Sequence, residues 1–294
     1  MVRPSASQEP DSRSCAGLLS LQEVADRLEV HYMTAYRYVR TGRLRAVQIG
    51  SQWWVDPQDL AGAGDGQAVA GRPRAVTRRS SRLAAAKRLE DRLVVGDEPG
   101  AWAIIEGRLG SGSSPEEVLL DELGVAMRLI GDGWEAGDYT VDDEHRASGV
   151  AMRMVARLGA RFTKRGPNRR SIILGTPPHE LHGLPTAMAA NLLRGRGYDV
   201  VDLGADVPVD AFGVAATKTP RPLAVAVAVT SGNHDRSLRA IVRAVQSARP
   251  GLPVLVGGGG IDGDEHAAPL GAVWSGGDAR SLAEVIEGLD RRSR

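Results

Sequence analysis

Five short, almost continuously apolar runs fill the C-terminal part of this chain, at 171–175, 199–203, 222–229, 253–257 and 271–275. They alternate with segments of helical periodicity at about 184–196, 208–217, 236–248 and 279–290. A strand that is apolar on both faces is buried on both faces, as in parallel sheets covered by crossover helices. The alternation therefore predicts a doubly wound, flavodoxin-like α/β domain over residues 168–294. Ligands of such sheets bind outside the carboxyl ends of the strands.

Ahead of this domain the period changes. Residues 77–163 are helical throughout, in segments at about 78–94, 99–109, 115–134 and 141–162, and short loops between them predict a four-helix bundle. The third segment opens on Ser114-Pro-Glu-Glu117, a capping box with proline at the first position, and carries the stripe Leu119, Leu123, Met127, Ile130, Trp134. Thr140 caps the fourth, where Val141, His145, Ser148, Met152 and Val155 share a face. Residues 17–61 form another module. Ser20 caps a helix over 21–28, and a second helix over about 31–40 ends at Thr41-Gly42. Two β-type runs, 44–49 and 52–55, meet at Gly50-Ser51, and Asp56-Pro57 starts a short helix. This pattern predicts a winged helix-turn-helix. Residues 1–16 read as a disordered tail, the Gly/Ala-rich 62–76 as a linker, and 164–170 as a basic loop.

Charge and cysteine content narrow the partners. Net charge is +1, but residues 16–94 hold 13 Arg/Lys against 8 Asp/Glu, whereas residues 95–160 hold 5 against 13. A basic front suits a polyanion, and an acidic middle does not. The single cysteine, Cys15, excludes an internal disulfide and a Cys-rich metal site and fits a reducing cytoplasm. The first residues lack the apolar stretch of a signal peptide, and no apolar run reaches the ~18 residues of a membrane span. The expectation is a cytoplasmic protein with no membrane partner.

The segment from Leu19 to Gly50 resembles the excisionase/MerR-type winged helix-turn-helix. The resemblance implies double-stranded DNA as partner. It would set His31, Thr34, Tyr36, Arg37 and Arg40 against bases or phosphates, and Arg43, Arg45 and the wing against the backbone. A small helical module that binds protein is the alternative. The basic run Arg72–Arg92 would add phosphate contacts, or be a solvated linker and helix face.

A lone histidine on a loop after a buried strand suits an axial metal ligand. Here the loop is Glu180-Leu-His-Gly-Leu-Pro185. With Thr230-Ser231-Gly232 after the third strand and the run Gly257–Gly260 after the fourth, the sheet domain resembles cobalamin-binding domains. The resemblance implies that His182 ligates cobalt in place of the cofactor's own benzimidazole and that Glu180 holds the other imidazole nitrogen. Gly183 belongs to the same loop. Gly257, Gly258 and Gly259 would admit the displaced nucleotide tail, and Thr230 and Ser231 would hydrogen-bond it. Pro185 stands where the family has its last glycine, and Thr230-Ser231-Gly232 lacks the family's leucine. His179 competes as ligand, though the register favours His182. A surface histidine in a nucleotide-binding or receiver-like domain is the alternative.

Trp134, nine residues, then Glu144-His145 resembles the motif of light-sensing, adenosylcobalamin-dependent repressors of the CarH type. There Trp134 would pack on the adenosyl group, Glu144 would accept from its ribose hydroxyls, and His145 would help hold it. Taken singly, Trp134 reads as the last core aromatic of its stripe and Glu144 as an acid favoured by the helix dipole. Glu135 departs from the family, which has a histidine there that ligates cobalt after illumination; His145 is one substitute. The resulting expectation is a non-enzymatic regulator, a DNA-binding repressor with adenosylcobalamin as chromophore. It would form a dimer or tetramer dependent on cofactor and light. Three alternatives stay open: a light-independent cobalamin sensor, a corrinoid protein carrying methyl groups, and a photoreceptor with an additional linear tetrapyrrole (bilin).

Overall fold

The structure is a computed structural model and describes residues 18–28, 35, 38–39, 44, 46–49, 52–62, 73–162, 170–232 and 234–293. It divides into two compact units at Pro73/Arg74. No helix among the described residues is long and apolar enough to cross a membrane.

The first unit begins with strand β1 (Leu19–Ser20), helix α1 (Leu21–Arg27), β2 (Val47–Ile49) and β3 (Gln52–Val55). Ser20 caps α1 reciprocally: its hydroxyl accepts from the Glu23 N–H at 3.3 Å, and the Glu23 carboxylate accepts from the Ser20 N–H at 2.7 Å. Leu21, Val24 and Ala25 of α1 are buried with Ala35, Leu44 and Val55. β2 and β3 pair antiparallel, Ile49 opposite Gln52, which is the predicted wing. β1 adds a third strand on the other side of β3, too short to leave a period in the sequence. The helix begun by Asp56-Pro57 is a 3-10 helix, Pro57–Gly62, with the Asp56 carboxylate accepting from the Gln58 N–H at 2.9 Å. His31, Thr34, Tyr36, Arg37, Arg40, Arg43 and Arg45 lie outside the described residues, as do the tail 1–16 and residues 63–72 of the linker.

The second unit opens with α2 (Pro73–Val94), which starts inside the predicted linker. Proline suits a first helical turn, where its missing N–H would have no partner, and Gly/Ala-rich flanks hide the start. α3 is Glu98–Gly110. The predicted third helix is present, with the capping box formed by Ser114 and Glu117 (Glu117 N–H to Ser114 Oγ, 3.1 Å). Its first part, however, is a π-helical stretch, Glu117–Leu123, which runs into α4 (Gly124–Ala136). Val118, Leu119, Glu122 and Leu123 are buried there; of the predicted stripe Leu119, Leu123 and Ile130 are buried, Met127 is half-buried and Trp134 is exposed. α5 is Val141–Gly159, capped by Thr140 and Asp143, and it ends as the 3-10 turn Ala160–Phe162. Its core face is Ala147, Val150, Ala151, Met154, Val155 and Leu158. Of the face named from the sequence only Val155 is buried; Val141, His145 and Met152 are exposed and Ser148 is half-buried.

Next come β4 (Ser171–Gly175), α6 (Leu184–Arg196), β5 (Asp199–Asp202), α7 (Val209–Lys218), β6 (Pro222–Ala228), α8 (Asp235–Ala248), β7 (Val254–Gly257), α9 (Asp264–Ala267), β8 (Val273–Trp274) and α10 (Ala279–Arg292). The strands are parallel in the order β5-β4-β6-β7-β8, the predicted flavodoxin-like topology. Alternate strand residues serve opposite faces. Ile173, Val225 and Val256 pack with Phe212 of α7 and Ile241 of α8, whereas Ile172, Ala224 and Leu255 pack with Leu193 of α6 and Ile286 of α10.

The bundle sits on α6. Leu184, Ala187 and Met188 join the bundle's core cluster, while Ala189, Ala190, Leu192 and Leu193 of the same helix join the sheet's. The buried Asn191 amide donates to the Val155 carbonyl of α5 at 2.8 Å. Around this seam Arg280 reaches Asp121 at 2.7 Å and Glu116 at 3.3 Å. Arg196 reaches Glu116 at 3.2 Å and Glu287 at 2.9 Å, and Arg82 bridges Asp121 and Glu117.

One buried acid in the bundle yields a pH prediction. Glu122 is fully buried; one oxygen accepts from Arg108 Nε at 2.8 Å, and the other has no partner among the described residues. Burial raises its pKa, against the lowering effect of Arg108. A carboxyl raised on folding binds more protons folded than unfolded. Its stabilising contribution is therefore complete below its unfolded pKa and is lost as pH rises through the folded value. Glu122→Gln should remove this component, so that the variant gains on the wild type as pH rises from ~4 to ~7. Urea midpoints across that range measure it; a constant gap would refute the assignment.

Candidate functional site

The carboxyl ends of five parallel strands open onto loops at one edge of the sheet, and the candidate residues gather there. Glu180, in the loop after β4, is buried, with 1 % of its surface exposed. One oxygen accepts from the His182 N–H at 3.0 Å and from His182 Nδ1 at 2.5 Å. The other accepts from the N–H groups of Thr230 at 2.8 Å and Ser231 at 3.1 Å, in the loop after β6. Burial pushes the Glu180 pKa up, but these four donors outweigh it and hold the carboxyl below its ordinary value. An ionised carboxylate can only accept, so His182 Nδ1 carries a proton, and in the neutral ring Nε2 is then the atom with the lone pair. The His182 side chain is half exposed, with Nε2 directed away from Glu180. A neutral imidazole oriented by a carboxylate is a metal-ligand arrangement.

A second layer holds the loop from beneath. The buried Thr176 hydroxyl donates to the Glu180 carbonyl at 2.6 Å and accepts from the Asp206 N–H at 2.9 Å. Asp206 Oδ1 accepts from the His179 N–H at 2.8 Å. His179 (φ 69°) and Asp206 (φ 52°) both have left-handed backbones. Each costs about 1–2 kcal/mol for a residue with a Cβ, so this pair of turns is held by its hydrogen bonds. His179 gives its backbone N–H to this frame and its side chain is exposed; the imidazole that a buried carboxylate orients is that of His182.

Beside the loop runs a cleft of about 460 Å³, partly open to solvent, between α6 and the first turn of α10. Leu174, Thr186, Ala189, Ala228, Gly257 and Ser275–Ala279 are among its walls. Gly257 and Gly258 were expected to make room for a ligand. They do line the cleft, but the protein itself requires them: a Cβ on Gly257 would lie 2.5 Å from the Gly276 carbonyl oxygen, and one on Gly258 (φ +103°) would lie 2.3 Å from that of Val229. Gly259 is looser, its Cβ position 3.2 Å from the Thr230 carbonyl. Thr230 and Ser231, expected to hydrogen-bond a nucleotide tail, hold Glu180 with their backbone N–H groups, and both residues are exposed.

The upper group lies on the bundle. Gly137, in the left-handed region, ends α4 by donating to the Gly133 and Trp134 carbonyls. A Cβ on Gly133 would lie 2.7 Å from the Tyr139 ring, and the Tyr139 hydroxyl donates to the buried Glu90 at 2.7 Å. That bond, with burial, pushes the Tyr139 pKa up to about 12. Trp134 is 46 % exposed, so it is not the last core residue of its stripe. Glu144 accepts from Ser148 Oγ at 2.6 Å and pairs with the exposed His145 at 3.0 Å. The same outer face of α5 reaches the histidine loop: Met152 Cε lies 3.9 Å from where a Gly183 Cβ would sit. The structure thus brings Glu180, His182, Gly183, Thr230 and Ser231 together, with Gly257 and Gly258 on the adjoining cleft. Trp134, Glu144 and His145 remain open on the bundle. The sequence reading missed Thr176, Asp206 and the Ser275–Asp278 turn. Only the last had a visible signal, a second glycine pair (Gly276-Gly277) ahead of a helix-capping Asp278.

The chain matches three protein families: a helix-turn-helix domain over residues 18–61, and two described as B12 binding domains over 85–158 and 170–286. It is 31 % identical to the HTH-type transcriptional repressor CarH of Myxococcus xanthus over 67 % of this chain and 62 % of that protein. It is 26 % identical to trimethylamine corrinoid protein 1 of Methanosarcina acetivorans over 44 % of this chain and 61 % of that one. The chain therefore spans about three-fifths of the length of these curated relatives. A solved structure, the monomethylamine corrinoid protein of Methanosarcina barkeri, superposes with a TM-score of 0.59 at 18 % identity, over 71 % of this chain and 99 % of that one. This likeness shows the fold of the bundle and sheet.

Glu180 gives a second prediction. Glu180→Gln places an amide NH₂ against N–H donors, and the buried mismatch should cost about 1–3 kcal/mol at pH 7. A carboxyl whose pKa is lowered on folding stabilises above its unfolded value, and that contribution is lost as pH falls through the folded one. The gap between wild type and Glu180→Gln should therefore narrow below pH ~4.5. Denaturant unfolding at pH 7 and in acid checks both size and direction.

Proposed function

We propose that this chain, which joins a helix-turn-helix domain to B12-binding domains as the CarH-type repressors do, is a cobalamin-binding transcription regulator that reads light through adenosylcobalamin. The observation that carries the reading is the ionised, four-donor Glu180 fixing His182 with Nε2 outward. The residues fit the group. His182 would hold cobalt, and the glycine-walled cleft between α6 and α10 would take the nucleotide tail. The exposed Trp134, with Glu144 and His145, would cover the opposite side. When bound, adenosylcobalamin supplies a carbon–cobalt bond that visible light breaks; the protein supplies ligation, orientation and shelter from water.

The DNA-binding role falls to residues 17–61, with duplex DNA as partner. His31, Thr34, Tyr36, Arg37 and Arg40 are proposed to meet bases and phosphates, and Arg43 and Arg45 the backbone. Assembly into a dimer or tetramer would bring several such modules to one operator, and linkage raises avidity without new contacts. A light-independent sensor is favoured by one observation. Glu135, next to Trp134, is an exposed acid and a poor partner for cobalt beside an imidazole.

The test is the full chain purified in the dark with adenosylcobalamin, its visible spectrum and operator binding recorded before and after green light. The expected result is a bound, histidine-ligated spectrum that changes irreversibly on illumination, together with DNA release. His182→Ala should lose histidine ligation, and Trp134→Ala should bind cofactor yet lose the coupling between light and DNA release. DNA binding that follows cofactor level but ignores light would establish the light-independent sensor. Methylation of the bound corrinoid by a methyltransferase would establish a methyl carrier, and absence of cobalamin binding would overturn the reading.

A further inference from the structure

We infer that Thr176 and Asp206 are positioning residues that set the pose of the His182 imidazole, by locking the backbone of the loop that carries it. The inference rests on the reading of His182 as the cobalt ligand. Glu180 fixes the ring; its carboxylate is held by the Thr230 and Ser231 N–H groups, and its backbone by a separate set of bonds. Its carbonyl accepts from Thr176 Oγ at 2.6 Å and from the Asp206 N–H at 3.0 Å, and its N–H donates to the Pro177 carbonyl at 3.1 Å. Thr176 is fully buried and uses its hydroxyl in both directions: the proton goes to Glu180 and a lone pair takes the Asp206 N–H. Asp206 closes the frame by accepting from the His179 N–H at 2.8 Å.

Two further bonds stitch the same loops together, Thr176 N–H to the Gly204 carbonyl and Val207 N–H to the Thr176 carbonyl. The loop after β4 is thereby referenced to the loop after β5, as Glu180 Oε2 references it to the loop after β6. Both left-handed residues, His179 and Asp206, sit on this frame. Without it the chain from Thr176 to Gly183 would relax toward ordinary backbone angles, and the imidazole would leave its line. Valine has nearly the shape of Thr176 and can make neither hydroxyl bond, whereas serine can make both.

The experiment uses the full chain, labelled with nitrogen-15 at histidine and loaded with cob(II)alamin. In the electron paramagnetic resonance spectrum an axial nitrogen-15 from the protein splits each cobalt line into a doublet; the cofactor's own nitrogen-14 base gives a triplet. Thr176→Val should lose the doublet and bind cobalamin about tenfold more weakly, as removal of an outer support of a metal ligand typically does. Thr176→Ser should keep both. Asp206→Ala should follow Thr176→Val, and Asp206→Asn, which retains an acceptor oxygen, should follow the wild type. Because Asp206 is exposed, its variants report on the frame even if Thr176→Val fails to fold.

A second readout needs no cofactor: the proton resonance of His182 Nδ1–H in the empty chain. It should be lost or shifted in Thr176→Val and Asp206→Ala, and retained in Thr176→Ser. If the wild type binds no cobalamin the functional reading fails, and this resonance alone decides the frame. An intact doublet with unchanged affinity in Thr176→Val and Asp206→Ala would overturn the inference. So would an unchanged resonance in both variants, or a Thr176→Ser chain that behaves like the valine variant.

Discussion

One buried carboxylate organises the functional end of this molecule. A charge at the position of Glu180 would be expelled or neutralised if left alone, since burying an unpaired carboxylate costs many kcal/mol. Four N–H donors, two from His182 and one each from Thr230 and Ser231, make the site tolerable. They come from two loops on neighbouring strands, so the charge is stable only when both loops are in place. Its ionisation then dictates the imidazole tautomer, which leaves a lone pair on the outward nitrogen. A structural requirement and a ligand requirement are met by the same four bonds.

The parallel sheet was legible because its central strands β4, β6 and β7, buried on both faces, leave apolar runs and the helices between them carry their own period; the edge strands β5 and β8 are partly exposed. Reciprocal caps at Ser20, Ser114 and Thr140 were legible because capping is a local matter of short side chains and the first free N–H groups. What the sequence hid is non-local. The π-helical stretch Glu117–Leu123 left no mark in the apolar pattern, because Leu119 and Leu123 are buried there as they would be on an ordinary helix. Which face of α5 is core depended on where its neighbours sit, and Met152 and His145 lie off that core. At the site, motif reading singled out Glu180, His182, Thr230 and Ser231 but not the bonds that join them, because a motif records residue types and three of the four donors on Glu180 are backbone N–H groups. The glycines at 257 and 258 were read as ligand clearance, although the nearest atoms are protein carbonyls. Thr176 and Asp206 were invisible because their partners are backbone groups four to thirty residues away.

The acidic surplus of residues 95–160 has a structural use beyond keeping that region away from polyanions. Glu116, Glu117 and Asp121 form one bank of a charged seam, with Arg82, Arg196 and Arg280 as the other. These groups are about a fifth to two-fifths exposed, so each pair contributes modestly. Their arrangement matters more than their sum. Arg280 follows directly on Asp278 and Ala279, which wall the cleft, and its partners belong to the π-helical stretch and the turn before it. The seam thus joins the part of the sheet domain that walls the cleft to the least regular part of the bundle.

The helix Leu184–Arg196 bears apolar side chains toward two cores at once, so the border between bundle and sheet runs along a helix and not through the residues between Phe162 and Arg170. A chimera cut between 163 and 169, where the sequence changes period, would strip Leu184 and Met188 of their covering on one piece and leave an open groove on the other. Swapping bundles between such proteins therefore calls for carrying this helix, or its outward face, along with the bundle. The unit that can be exchanged in this architecture is larger than a domain alignment suggests.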